Sequence, residues 1–144
     1  MVERLVRWAN QNSGSRNAEG LEAKQGLVRE GFDRLPGTFS TLPLDESHPD
    51  AGPGRIMLRW RCRPEAPIQV LFSGHLDTVF GPESSFQACT VLDEARIRGP
   101  GITDMKGGLV VMLAALEAFE SCPWRDQLGW EILISPDEEL GSPG

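Results

Sequence analysis

Three short segments of the sequence carry side chains suited to metal or acid–base chemistry. They are GHLDT (74–78), GPGITDMKGG (99–108) and PDEELGS (136–142). Their His, Asp and Glu side chains are all ligands that zinc accepts. A single segment of this kind is weak evidence, but three of them, each beside a predicted strand end or helix start, favour a zinc site.

The first segment places His75 and Asp77 two residues apart, directly after an apolar strand. An extended backbone points both side chains to the same side. A carboxylate that accepts a hydrogen bond from one imidazole nitrogen fixes the tautomer and leaves the other nitrogen for a metal. We therefore expect Asp77 to orient His75.

The second segment places Asp104 just before an apolar helix. Asp is also a favoured helix N-cap, so Asp104 is either a metal ligand or a cap for the amides near Gly107. A phosphate-binding loop is a poorer match, because that motif needs Ser or Thr after its Lys, whereas Lys106 is followed by Gly107.

The third segment contains Asp137, Glu138 and Glu139, which follow a predicted buried strand directly. Three carboxylates at such a position are costly unless a cation or solvent meets them. The segment is therefore either part of a cation site or a solvated acidic turn.

The elements that must position these segments alternate between helix and strand, which predicts an α/β fold. Asn17 is the expected N-cap of the second helix. The apolar run at 68–72 is typical of a central strand covered on both faces. We expect helices at 2–9, 18–35 and 107–120, a short extended piece at 39–44, and strands at 55–61, 68–72 and 129–134, with one or two short strands within 88–98.

Composition excludes several classes of function. The net charge is −7, with no long run of Lys and Arg, which argues against nucleic-acid binding. The longest apolar run, 109–116, is far shorter than the roughly 20 residues that a membrane span needs, and the N-terminus does not resemble a secretory signal. We expect a cytoplasmic protein without a membrane partner, with Cys62, Cys89 and Cys122 as free thiols and His48 as a surface residue.

The three segments together resemble the signatures of the M20 family of zinc metallopeptidases. This family includes glutamate carboxypeptidases, acetylornithine deacetylases, succinyl-diaminopimelate desuccinylases and aminoacylases. SGHLDTVF resembles its first signature, GPGITDMKGG its second and DEELGSPG its third, while NQNSGSRNAEG resembles its N-terminal helix–loop segment. The run TVFGPESSFQ is most similar to the carboxypeptidase-like branch.

The resemblance implies a role for each candidate residue. His75 would bind one zinc ion, Asp104 would bridge two zinc ions and Glu139 would bind the other ion. Asp77 would support His75, and Glu138 would act as the general base. The implied activity is hydrolysis of an amide bond in a small peptide or N-acyl amino acid, with two Zn²⁺ ions, or Co²⁺ or Mn²⁺ as substitutes.

The resemblance also implies a mixed central sheet flanked by helices, and parts that this sequence lacks. Family members carry two further metal ligands and a lid domain through which they form homodimers. We therefore expect residues 1–144 to be the N-terminal portion of the catalytic domain, inactive by itself, from a complete protein that forms a homodimer. The alternative is a truncated, non-catalytic relic or interaction module that retains the signatures.

Overall fold

The computed structural model describes residues 1–45 and 56–143. His48 and most of the predicted loop around it lie outside these residues. The described part contains the helices α1 (Val2–Asn10), α2 (Ala18–Phe32) and α3 (Gly107–Glu120). Its strands are β1 (Thr38–Pro43), β2 (Ile56–Cys62), β3 (Ile68–His75), β4 (Thr90–Asp93), β5 (Arg96–Arg98) and β6 (Leu128–Ser135).

The predicted N-cap of α2 is confirmed. The side chain of Asn17 accepts a hydrogen bond from the backbone N–H of Gly20 at 3.1 Å, which satisfies one of the free amides at the helix start. The helix ends at Phe32 rather than at residue 35 as predicted, although Leu35 is still buried. Helical spacing of apolar residues therefore continued past the last helical turn.

The main sheet has the strand order β1-β2-β6-β3. β2 is antiparallel to both β1 and β6, whereas β3 runs parallel to β6. β4 and β5 form a separate antiparallel hairpin. This mixed sheet confirms the predicted α/β class. The parallel register also pairs His75 with Ser135, so the segments that follow β3 and β6 leave the sheet at the same edge.

The core lies between one face of the sheet and the three helices. Alternate residues of β2 and β6 point into it, and each is at most 2% exposed; they are Leu58, Trp60, Trp130, Ile132 and Ile134. These side chains form one cluster with the buried faces of α1, α2 and α3. Burial of this apolar area fixes the sheet against the helices, and with it the strand ends that carry the candidate site.

The prediction that β3 is a central, doubly covered strand is wrong. β3 lies at the edge of the described sheet, and Ile68 and Leu71 are 54% and 62% exposed. The central position belongs to β6, which has a hydrogen-bonded neighbour on each side. An apolar run reports composition only, and composition does not distinguish a covered strand from one with an open face.

The three cysteines are free thiols, as predicted, and Cys62 is the buried one. No helix within residues 1–45 and 56–143 combines the length and the apolar character that a bilayer crossing requires.

Candidate metal centre

The three segments singled out from the sequence meet at one end of the sheet. The first and third follow the C-terminal ends of the parallel strands β3 and β6, and Leu76 N–H donates to Ser135 O at 2.9 Å to continue that pairing. The second segment comes to the same place just before α3. Loops beyond the carboxyl ends of parallel strands are the usual location of functional sites in α/β sheets.

The imidazole of His75 lies between two carboxylates. Its Nδ1 is 3.1 Å from Asp77 Oδ1, and its Nε2 is 2.9 Å from Asp104 Oδ1. Glu138 Oε2 lies 3.8 Å from Nε2. The ring is held from behind by a buried carboxylate, and its outer nitrogen faces two further carboxylates from the other two segments.

Asp77 is fully buried and accepts four hydrogen bonds. Its Oδ1 accepts from the His75 ring and from Glu138 N–H at 3.2 Å. Its Oδ2 accepts from Ser15 Oγ at 2.7 Å and from Glu139 N–H at 3.1 Å. The sequence predicted only the contact with His75. The same carboxylate also fixes the backbone of the two glutamates in the third segment.

Charge in the site follows from these contacts. Burial opposes protonation of His75, but the hydrogen bonds to Asp77 and Asp104 outweigh it and raise the His75 pKa to about 9. Burial also opposes ionisation of Asp77, but its bonds from His75 and Ser15 outweigh that and lower its pKa. Burial and the nearby charge of Asp104 raise the pKa of Glu139. The nearby carboxylates thus favour the protonated form of the His75 imidazole.

Asp104 does not cap α3. The residue at the cap position is Lys106, and no side chain accepts a capping hydrogen bond there. Asp104 instead has an extended backbone, with φ −129° and ψ 102°, and its side chain is 72% exposed while it contacts His75. The peptide bond from Asp104 to Met105 is cis. The helix-cap alternative for Asp104 is therefore wrong.

The acidic third segment is not a simple solvated turn. Asp137 is only 1% exposed, and its carbonyl accepts from the N–H groups of Leu140 and Ser142 at 3.1 Å each. The turn Glu138–Leu140 is a short 3₁₀ helix. Glu138 points outward, with its side chain 55% exposed, into a cavity of about 400 Å³ that His75 and Asp104 also line.

The donor set fits a zinc ion in part. Zinc binds His nitrogen and carboxylate oxygen at roughly 2.0–2.2 Å, so two ligands of one ion lie about 3 Å apart. The 2.9 Å separation between His75 Nε2 and Asp104 Oδ1 agrees with this. Within the described ranges, however, no three His, Cys, Asp or Glu side chains converge on one point. Asp104 and Glu138 each lie beside His75, but the described side chains are not arranged as three ligands of one ion. Burial raises the pKa of Glu139, and Asp104 is close enough for its charge to raise that pKa further.

The burial of three polar residues was not predicted from the sequence. Ser15 lies in the segment that resembles the N-terminal helix–loop of the family, and nothing in the pattern linked it to Asp77. Lys24 and Lys106, 0% and 1% exposed, donate to the carbonyls of Trp8 at 3.0 Å and Gln11 at 2.9 Å. Lysines that bind the last carbonyls of α1 carry no signal in sequence, because helix C-termini are satisfied in many ways.

Comparison with known proteins matches the same three segments. Residues 71–144 match the profile of "Peptidase family M20/M25/M40", and this range includes His75, Asp104 and Glu138. The chain belongs to this family. Its M20 relatives include succinyl-diaminopimelate desuccinylase 2 of Shewanella loihica, which is 40% identical over 80 residues, or 52% of this chain and 21% of the relative.

Two further similar proteins extend the match to the whole chain. Carboxypeptidase G2 of Pseudomonas sp. is 25% identical over 144 residues, which cover 100% of this chain and 34% of the relative. The crystal structure of human carnosine dipeptidase 1 superimposes with a TM-score of 0.79 at 20% identity, over 99% of this chain and 32% of that one. The fold is thus that of an M20 catalytic domain, and the chain spans about a third of these two proteins.

Proposed function

We propose that this chain provides part of a dinuclear zinc site that hydrolyses an amide bond in a small peptide or N-acyl amino acid. The observation that carries the proposal is the contact of His75 with Asp77, Asp104 and Glu138, which come from three separate segments. All three segments fall within the range that matches the M20 peptidases.

The proposed ligands are His75 for one zinc ion, Asp104 as the bridge and Glu139 for the second ion. His75 Nε2 and Asp104 Oδ1 already lie at the separation of two ligands of one ion. Asp77 would hold His75 in the tautomer that leaves Nε2 for the metal. When bound, the two ions would supply a Lewis acid for the carbonyl and a water of lowered pKa.

Glu138 is the proposed general base. Its carboxylate is 3.8 Å from His75 Nε2 and opens to the cavity, whereas its backbone is fixed by Asp77. This placement lets Glu138 take a proton from the attacking water and pass it to the leaving amine. The cavity of about 400 Å³ gives room for the scissile amide beside it.

We propose that residues 1–144 form the N-terminal portion of the catalytic domain, and that alone they bind zinc weakly and have no turnover. A catalytic zinc usually has three protein ligands, and no described cluster within 1–45 and 56–143 offers three. Activity, and the homodimer that the family resemblance implies, are therefore proposed for a protein that carries the rest of the fold.

The test uses Glu138→Gln in the longest product of the gene that contains these residues. Turnover is measured on N-succinyl and N-acyl amino acids, the classes suggested by the desuccinylase and carboxypeptidase relatives, and zinc is counted by elemental analysis. We expect loss of turnover with zinc retained, because the change removes a base and no ligand. Activity within a few-fold of wild type would reject the role of Glu138.

The matched control is Asp126→Ala, which removes an exposed carboxylate from the 3₁₀ turn before β6. It is expected to keep both zinc and turnover. A wild-type protein that binds zinc but hydrolyses none of these amides would instead support the non-catalytic alternative.

A further inference from the structure

The segment between α1 and α2 is bound to the loop that carries Asp77. Thr78 N–H donates to Ser13 O at 2.9 Å, and Ser15 N–H donates to Thr78 O at 3.0 Å. Gly14 and Thr78 form a parallel bridge between the two. These bonds place residues 13–15 directly beside the candidate metal centre, although they are about 60 residues away in sequence.

A glycine is required at the middle of this segment. A Cβ on Gly14 would lie 2.6 Å from Phe80 O and 2.8 Å from Gly81 Cα. Both are backbone atoms, which cannot move aside as a flexible side chain can. The close approach that Gly14 allows brings the next residue, Ser15, against Asp77.

The hydroxyl of Ser15 donates to Asp77, the carboxylate that links the first and third segments of the site. Ser15 is 7% exposed, and its Oγ is 2.7 Å from Asp77 Oδ2 and 3.2 Å from Thr78 O. A hydroxyl has one proton to donate, and the shorter, charge-assisted bond to Asp77 is the stronger of the two. The opposite oxygen of Asp77 accepts from His75 and Glu138.

We propose that Ser15 is a positioning residue for the metal centre. The last torsion of an Asp side chain is soft, so the carboxylate turns unless both oxygens are held. Ser15 and Glu139 N–H hold Oδ2, and this fixes Oδ1 in the plane where it meets the His75 ring and the Glu138 amide. Ser15 thus acts on His75 and on the turn of the two glutamates through Asp77. The link to catalysis rests on the proposed function.

The first test is amide hydrogen exchange in the metal-free 144-residue chain. Ser15→Ala should speed exchange of the Glu138 and Glu139 amides about tenfold, because their acceptor loses its anchor. Amides within β6, such as that of Ile132, should keep their rates. The matched control is Ser13→Ala, because Ser13 Oγ is buried two residues away and has no hydrogen-bond partner within the described residues. It should leave the two glutamate amides unchanged.

Two conservative variants separate the hydrogen bond from the space that the side chain fills. Ser15→Thr keeps the hydroxyl and should restore wild-type exchange. Ser15→Cys keeps the shape with a weaker donor, so the Glu138 and Glu139 amides should exchange at an intermediate rate. If Ser15→Ala does not fold, Ser15→Cys takes its place in the test. Unchanged exchange at Glu138 and Glu139 in Ser15→Ala and Ser15→Cys would overturn the proposal. An equal increase in the exchange rate of all amides would also overturn the proposal, because it would indicate that Ser15 affects stability alone.

The second test is Co²⁺ affinity, followed by the visible absorption of the bound ion. Ser15→Ala should weaken binding about tenfold, the lower end of the effect for partners of metal-ligating residues, and Ser13→Ala should not. His75→Ala reports on the proposed function separately. If His75→Ala leaves Co²⁺ binding unchanged, the metal assignment fails, and the exchange rates still decide whether Ser15 positions Asp77.

Discussion

Replacement of Asp77 by Asn should destabilise the protein strongly even though the two side chains have the same shape. Each oxygen of Asp77 accepts from one backbone N–H, that of Glu138 at Oδ1 and that of Glu139 at Oδ2. An Asn offers one acceptor oxygen and one NH₂ group. In either orientation of the amide, the NH₂ faces a backbone N–H, so one partly buried donor is left without an acceptor.

The size of the effect follows from that count. An unsatisfied buried donor costs about 1–3 kcal/mol, and a hydrogen bond to a charged group contributes about 1.5–3 kcal/mol against about 1 kcal/mol for a neutral one. The bonds of Asp77 to His75 and Ser15 lose their charge in the variant. We therefore expect Asp77→Asn to lower the free energy of unfolding by about 3 kcal/mol or more.

The assay is urea unfolding of the metal-free chain in EDTA. The difference in the free energy of unfolding between variant and wild type is calculated from the two midpoint urea concentrations with a common m-value. The control is Asp104→Asn, because Asp104 is 72% exposed and its hydrogen bond goes to the outer nitrogen of the same imidazole. That variant should change stability by less than about 1 kcal/mol. An Asp77→Asn chain within about 1 kcal/mol of wild type would refute the description of Asp77 as the acceptor that joins the first segment to the third segment and to Ser15.

Three further predictions concern Lys24, Gly14 and the metal ligands. Burial lowers the Lys24 pKa from 10.5 to about 6, so between these values the unfolded chain binds one more proton at this residue, and Lys24 contributes a rise in stability with pH of about 1 kcal/mol per unit. His75, with its pKa raised to about 9, contributes in the opposite direction, so Lys24→Met is expected to lower the measured slope by that amount in urea titrations at pH 7–9, and parallel slopes for variant and wild type would contradict it. Gly14→Ala should lower the free energy of unfolding by about 1–3 kcal/mol, because the new Cβ meets backbone atoms. Gly26→Ala, in open space on α2, should raise it by about 1 kcal/mol, and both changes are measured as shifts in the thermal midpoint. His75→Ala and Asp104→Ala should both lower zinc content in elemental analysis, the second more because it is the proposed bridge, and full zinc in Asp104→Ala would reject the bridge.

The location of the site could be predicted from the sequence because its residues sit where local patterns change. His75 and Asp77 follow an apolar strand, and Asp104 precedes an apolar helix, so strand ends and helix starts alone placed them near one another. The family resemblance then assigned roles that the residue types permit. The prediction of the α/β class succeeded for the same reason, since alternation and helical spacing are local signals, whereas the mixed sheet was implied by the family resemblance.

What the sequence could not show depends on contacts between distant segments. Ser15 reaches Asp77 across 62 positions, and its own neighbours resembled only a helix–loop segment of the family. Lys24 and Lys106 are charged residues whose burial depends on carbonyls at the end of α1. The edge position of β3 is set by which strand pairs with β6, and apolar composition does not encode that choice.

The most direct test of the metal centre is anomalous diffraction at the zinc edge from zinc-soaked crystals of the longest product of the gene that contains these residues. The proposed function predicts an anomalous peak within about 2.0–2.2 Å of both His75 Nε2 and an Asp104 oxygen, and a second peak at Glu139 roughly 3.5–4 Å from the first. Zinc bound only at other residues, with His75 Nε2 still in contact with Asp104, would contradict the assignment of this site.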